Sequence, residues 1–556
     1  MNKGETLALF AQGKNVWNAW AEQKLAERKA LEEDGFWDAS GDGNSVTLRW
    51  ISDARADFTG HIFTELTDFS GFVFPGEADF RPTEGEDGTG AGFNIRTRFE
   101  EVSLFEAVTF SGDAWFNAAT FSAGAEFKNA RFLGKTWFDD ASFLGGTFFF
   151  SEATFSLDVS FDGAMFAGPA LFAQATFLKT ARFRQTKFSM DAWFNAATFG
   201  NAHFQGTTFS LEARFDGAAF TGNAYFNAVT FSRRADFEMS IFSRLASFNK
   251  VTFLGDGRFE RATFSGNAMF DYATFMSLAQ FDLALFEGFS TFENARFKLV
   301  AGFVAVKGES FFSLRNATFY YAPNFEQAHF AEAPTFDASH FPDEPAPGEA
   351  VRWRALKRLA VQGQDHEREQ LFFAQEIKSL RGETDWLLPR PLNLLRGRPV
   401  WRGGARYWLG LFYEWSSDFG RSMARPVVWW GVLTTAFALV YLDQHFQFKN
   451  PPYASRLMVW RANDYTPPLE CVTGKTSAPL ASAFYLAVSK GLVAGFGGSD
   501  KLASAHYCLY GADVEMPSSQ PRIPDNVAFA GIGQALLSAP LIFLFLLAVR
   551  NHFRIK

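Results

Sequence analysis

The chain has 556 residues and a formal net charge of −8, and 20% of its residues are charged. That length predicts several domains. Two cysteines, Cys471 and Cys508, cannot build a cysteine-rich metal site. Phenylalanine is the outlier, with 70 residues.

Residues 1–35 carry Leu7, Phe10, Val16, Trp17, Trp20 and Leu25 among Lys, Glu and Gln, which predicts one amphipathic helix. We expect residues 1–50 to cap whatever follows, since an uncovered sheet end invites association. A basic stretch followed by an apolar run is missing, so no secretory signal is expected and the amino terminus is assigned to the cytoplasm.

Residues 51–341 are organised by phenylalanine. A first block holds Phe58, Phe63, Phe69, Phe74 and Phe80, and Pro82–Ala91 then interrupts it as a loop. From Phe99 onward phenylalanine recurs at alternating steps of five and six, as in Phe110, Phe116 and Phe121, with alanine two positions earlier. The period weakens near Val304–Phe312, where a bulge or loop is expected. A step of about 5.5 residues rotates by roughly 190° on a helix, which would throw successive rings to opposite sides. The Thr, Ser, Gly and Asn between them are also poor helix formers. What fits is a mainly β solenoid in which Phe and Ala point inward and the small polar residues turn the corners.

The A-T-F-S and A-W-F-N units resemble the pentapeptide-repeat proteins, whose pattern is A-(D/N)-L-x-x with Leu or Phe at the centre. The resemblance implies a right-handed, four-sided β-helix. The extra residue in alternate units implies bulged corners, about 22 residues per coil and about eleven coils. Soluble members that mimic duplex DNA suggest a nucleic-acid-like role, but a membrane anchor and surface residues such as Arg131, Lys179, Arg184, Arg233 and Arg234 speak against it; no nucleic-acid partner is expected.

Residues 342–425 form a helical and juxtamembrane linker. Pro342–Gly348 reads as connection, and 350–381 as an amphipathic helix with Trp353, Leu356, Leu359, Phe372, Phe373, Ile377 and Leu380. His366 lies there among Asp365, Glu367 and Glu369, but no second His or Cys is near, so a solvated polar face is the reading. The Arg, Trp and Tyr between Arg390 and Arg425 describe an interfacial belt.

Residues 426–556 read as a two-span membrane domain. Pro426–Leu442 and Val527–Val549 have the apolarity to span a bilayer. Arg421 and Arg425 before the first, and Arg550, Arg554 and Lys556 after the second, place both flanks in the cytoplasm. We expect a bacterial inner membrane, with the β-helix and carboxyl terminus cytoplasmic and 443–526 outside. Both cysteines fall in that outer segment, where Cys471–Cys508 is expected as a disulfide.

Within this segment Ser482–Leu492 reads as a short apolar helix, and Val493, Ala494, Gly495, Phe496, Gly497, Gly498, Ser499 and Asp500 follow it. A short helix, then glycines, between two spans resembles the pore loop of two-transmembrane potassium channels, where T-V-G-Y-G-D follows a pore helix and backbone carbonyls replace the hydration shell. The resemblance implies a selectivity filter at Val493–Gly497, with Asp500, Gln534 and Ser538 associated with the pore. Here Val493 and Ala494 replace Thr and Val, which removes a hydroxyl ligand, and the acid falls two residues later, at Asp500. The implied partners are the lipid bilayer, a permeant ion (a cation), further copies of the chain, four in that family, and a cytoplasmic protein on the β-helix.

The alternative is a plain two-span anchor whose small residues pack helices, carrying an interaction scaffold. Phosphate-binding loops, nucleophile elbows and clustered metal ligands are missing from the sequence, and surface acids such as Asp139 and Asp140 are ordinary, so neither an enzyme nor a cofactor is expected.

Overall fold

The structure is a computed structural model that describes residues 1–38, 44–86, 92–346, 348–382, 401–449, 478–492, 499–510 and 523–553. It divides into two units, Met1–Ser379 and Leu380–Lys556.

Residues 1–35 form two helices, α1 (Lys3–Phe10) and α2 (Lys14–Glu33), rather than the single helix predicted there, and α3 (Ser45–Ala54) follows. The break falls at Gly13, whose φ of +87° no helix accommodates. Asn2 caps α1 in a reciprocal arrangement with Glu5. Trp17 is buried and its indole donates to the Val73 carbonyl at 2.9 Å, while Asn18 exchanges hydrogen bonds with Gly71 and Val73. Phe10 packs on Phe69 with ring centroids 4.6 Å apart. These helices therefore seal the first coil and pair its exposed backbone.

A parallel β-solenoid of about twelve coils follows, against the eleven expected. Strands mostly two residues long line up in four ladders, one per side of the coil. Thr109 faces Arg131 and Phe121 faces Phe143, each 22 residues further on, so one coil is four repeat units. The alternating step has a physical cause. After one phenylalanine the chain makes a tight turn, with Ala119 N–H donating to Phe116 O at 3.1 Å and Ala118 in the left-handed region at φ 53°. After the next, a wider corner takes the sixth residue. Left-handed residues consequently recur every eleven positions, as at Lys250, Arg261, Tyr272 and Leu283.

The rings form four ladders along the axis. Phe226 lies over Phe248 at 4.8 Å and 1°, and Phe237 over Phe259 at 4.9 Å and 1°. Neighbouring ladders meet edge to face, as Phe215 and Phe226 do at 5.5 Å and 88°, the pairing the ring quadrupole favours. Alanines such as Ala224, Ala246 and Ala268 are buried beside them and leave the space that the rings occupy.

Two expectations about irregularity are corrected. Pro82–Ala91 does interrupt the repeat, since Phe63 faces Phe99, 36 residues on, but it belongs to an antiparallel hairpin, Thr83–Glu86 with Gly92–Ile95, rather than a plain loop; residues 87–91 lie outside the described residues. Near Val304–Phe312 the 22-residue register does not break, since Leu285 faces Lys307 and Ser290 faces Phe312. The period fades there because large and small residues have changed places. Gly308 stands in a phenylalanine ladder and Phe312 in an alanine ladder, and Phe312 lies 5.0 Å from Phe330 and 5.4 Å from Phe286. The register shifts instead where Phe148 faces Ala125, 23 residues apart, and where Ala202 faces Ala181, 21 apart.

The last coil is covered by α4 (Ala350–Gln362) and α5 (His366–Gly382). Trp353 and Phe372 are buried there, and Phe372 meets Phe341 at 4.9 Å and Phe336 at 5.8 Å, edge to face in both cases. Glu376 receives Arg354 at 2.8 Å and Lys357 at 2.5 Å, which ties α5 to α4.

The second unit is helical: α6 (Trp401–Ser417), α7 (Ala424–Lys449), α8 (Ala478–Gly491), α9 (Ser499–Tyr510) and α10 (Asp525–Phe553). Helices α7 and α10 are long and apolar enough to cross a membrane.

Candidate functional site

The polar groups of the helical unit converge where α8 lies against α7 and α10. At 14 residues, α8 is too short to span a bilayer, so its position rests on side contacts. Ala483, Leu486 and Ala487 on α8 and Ala438 and Tyr441 on α7 are buried together, with Leu509, Tyr510 and Val527 completing the cluster.

A chain of hydrogen bonds runs through this cluster. Tyr441 donates its hydroxyl to Gln534 Oε1 at 2.9 Å, and Gln534 Nε2 donates to the Ala487 carbonyl at 2.6 Å. One amide therefore joins both long helices to the short one. Tyr510 donates to the Tyr441 carbonyl at 2.9 Å, and the His445 ring contacts Leu509 O at 2.6 Å, which adds α9. At the end of α8, Trp430 donates to Gly491 O at 3.3 Å. A Cβ on Gly491 would lie 3.0 Å from Gln534 Nε2, 3.3 Å from Trp430 Nε1 and 3.5 Å from Ser538 Oγ, so a larger residue there would push against the Gln534 and Trp430 side chains. Such polar contacts between apolar helices act as specific fasteners.

The expected site residues fall as follows. Gln534 and Ser538 are fully buried in the unit, Gln534 in the chain just described and Ser538 beside Gly491; Ser538 Oγ has no hydrogen-bond partner among the described residues. Asp500 is in the first turn of α9, and Cys508 is further along it. Val493, Ala494, Gly495, Phe496, Gly497 and Cys471 lie outside the described residues. Sequence reasoning missed Tyr441, Trp430, Gly491 and Tyr510. A tyrosine inside the otherwise apolar run of α7 was the available signal, because polar groups at such positions seek partners.

His506 on α9 is buried, and neither ring nitrogen has a hydrogen-bond partner among the described residues. Burial, helped by the charge of Lys490, holds its pKa down at about 4. Among the described residues no three His, Cys, Asp or Glu side chains are placed to hold a metal ion, and His366 contacts only Glu369 at 3.2 Å.

On the solenoid, charged side chains form one connected group on adjacent coils. Arg258 reaches Asp236 at 3.3 Å, Glu238 at 3.2 Å and Glu260 at 3.2 Å, and Arg234 holds Asp236 at 2.6 Å. Two arginines face three carboxylates in this group, so it keeps a formal charge of −1 and leaves a mixed-charge side.

Comparison with known proteins agrees with the solenoid. The family model described as pentapeptide repeats (9 copies) matches residues 95–142, 127–176, 172–219 and 215–263. This stretch is made of pentapeptide repeats. The pentapeptide-repeat match stops at residue 263, although the coils continue to Phe319 in the same 22-residue register. No curated protein and no solved structure matches the chain.

Proposed function

We propose that the chain is an oligomeric, cation-conducting channel of the bacterial inner membrane, with the pentapeptide-repeat solenoid on the cytoplasmic side as sensor or scaffold. In this reading α7 and α10 span the bilayer, α8 is a pore helix, and Val493–Gly497 supplies the filter from four copies. Asp500 stands at its outer mouth, and Cys471 pairs with Cys508 to hold the outer segment. Gln534 and Ser538 act from behind the pore helix, Gln534 by fixing its position.

The observation that supports the reading is the fastening of α8. A helix too short to span is held between two that can, through Tyr441, Gln534 and the Ala487 carbonyl. Gly-Phe-Gly then follows at 495–497, where backbone carbonyls can converge only with the freedom that glycine gives.

Efflux of potassium from vesicles holding the purified protein tests it. We expect efflux in the wild type, its loss in Gly495→Pro, and a marked reduction in Gln534→Leu with the fold intact. Equal efflux from wild type and Gly495→Pro would refute the filter.

A second reading, a membrane-anchored interaction scaffold without conduction, draws on the solenoid itself. About twelve coils with both ends covered by helices present long, regular sides. That reading expects silent vesicles and a protein partner captured by the solenoid.

A further inference from the structure

The helical unit contains a cleft of about 300 Å³ between α6, α7 and α10 that the pore reading does not use. Its walls include Phe412, Trp415, Trp429, Val432, Leu537 and Pro540. The Trp415 and Trp429 rings meet at 3.7 Å. Polar groups that could hold ordered water are nearly missing from this lining, so its natural content is apolar.

Two features say what kind of apolar group. The first is depth. The α7 walls start at Trp429, four residues beyond Arg425, and end at Ala436. At 1.5 Å per residue they lie about 6–16 Å from that arginine. One leaflet of hydrocarbon is about 15 Å deep.

The second is charge. Arg421 and Arg425 are exposed at the corner between α6 and α7. Asn551 donates to the Gly420 carbonyl at 3.2 Å, which brings the end of α10, with exposed Arg550, to the same corner. Arg425 donates to the Glu414 carbonyl at 3.1 Å, and Glu414 and Asp418 are the acids nearest in the chain. Arg425 therefore lies on the same face of α7 as the walls of an apolar slot one leaflet deep, and Arg421 and Arg550 are exposed close by in the chain at that end. Helix α6 also leaves Leu409, Phe412 and Trp415 exposed on the face that includes the cleft wall, apolar surface of the kind an interfacial helix turns to lipid.

We propose that this cleft binds an anionic phospholipid of the cytoplasmic leaflet. One acyl chain lies between α6, α7 and α10, and the phosphate is held by Arg421, Arg425 and Arg550. The site rests on the membrane reading of α7 and α10 and not on conduction. Arginine suits the phosphate because its planar fork donates two hydrogen bonds at once. Pro540 lacks an N–H and so takes one helical hydrogen bond out of α10 beside the slot. An occupant there touches both spans and the interfacial helix, and so couples the lipid to their packing.

The test uses the full chain with phosphatidylglycerol or phosphatidylcholine. Flotation with vesicles of each lipid reports membrane insertion, and native mass spectrometry after detergent transfer counts the lipids retained. We expect flotation with both, and at least tenfold greater retention of phosphatidylglycerol. R421Q/R425Q should lose that preference while still floating. A436F should lower retention of both lipids, with flotation and melting temperature checked so that misfolding is recognised; V432F fills the same slot if A436F fails to fold. Flotation with equal retention of the two lipids overturns this site and leaves the membrane reading standing, as does full retention in either slot-filling variant. Failure to float overturns both.

Discussion

At the scale of single residues, the solenoid depends on which side chain is large. Phe226 is fully buried between Phe204 and Phe248 in its ladder and meets Phe215 and Phe237 edge to face. Removing such a ring leaves a cavity that neighbours held in stacks cannot close. Phe226→Ala should therefore cost about 3–5 kcal/mol, read as a shift in denaturant midpoint. The alanines work in the opposite sense. Ala246→Leu should destabilise by about 1–3 kcal/mol through overpacking. Gly308 shows the same logic from the other side: a Cβ there would come within 2.5 Å of the Phe330 ring, so Gly308→Ala should lower the melting temperature even though it restores a side chain to that ladder. His506 sets a pH dependence. Its folded pKa of about 4 lies below the ordinary 6.5, so folding is most favoured above 6.5. As pH falls from 6.5 towards 4 the unfolded chain binds the proton first, and roughly 3 kcal/mol is lost. His506→Phe should flatten that part of the pH profile; an unchanged slope would mean His506 is not the group responsible.

At the scale of elements, the repeat was legible because one rule acts at every coil. Inward Phe and Ala, tight turn, wide corner: each leaves its mark in the spacing, and the 22-residue register follows from it. The misplaced irregularity has a physical reason. Gly308 and Phe312 disturb the letter pattern but preserve volume, whereas after Gly145 and Gly146 Phe148 falls at the expected five-residue step and hides the longer corner, although the ring in the ladder is Phe150. The single amino-terminal helix was misread because apolar spacing runs through Gly13, and only the backbone angle there reveals the break. The caps matter as elements. Trp17→Ala removes a buried indole and its bond to Val73, and should increase hydrogen exchange in the first coil while the central coils stay protected, because coils contact only their neighbours.

At the scale of the whole molecule, the chain joins a pentapeptide-repeat solenoid to a helical unit with two helices able to cross a membrane. The solenoid could be read from letters because its contacts repeat. The candidate site could be read only in outline: glycines at 495 and 497 and a short apolar helix are visible in sequence, but Tyr441 and Gln534 are 93 residues apart and meet only through folding. Nothing local marks such a pair. The central claim is that this unit conducts cations, and the current–voltage relation of the purified protein in a planar bilayer under a tenfold potassium chloride gradient tests it most directly. A cation pore gives unitary currents that reverse near the cation equilibrium potential, about 59 mV in magnitude, and that vanish in Gly495→Pro. Reversal at the opposite sign, or unitary currents that survive Gly495→Pro, would contradict the account, and silence from both the full chain and a chain lacking the solenoid would leave the scaffold in its place.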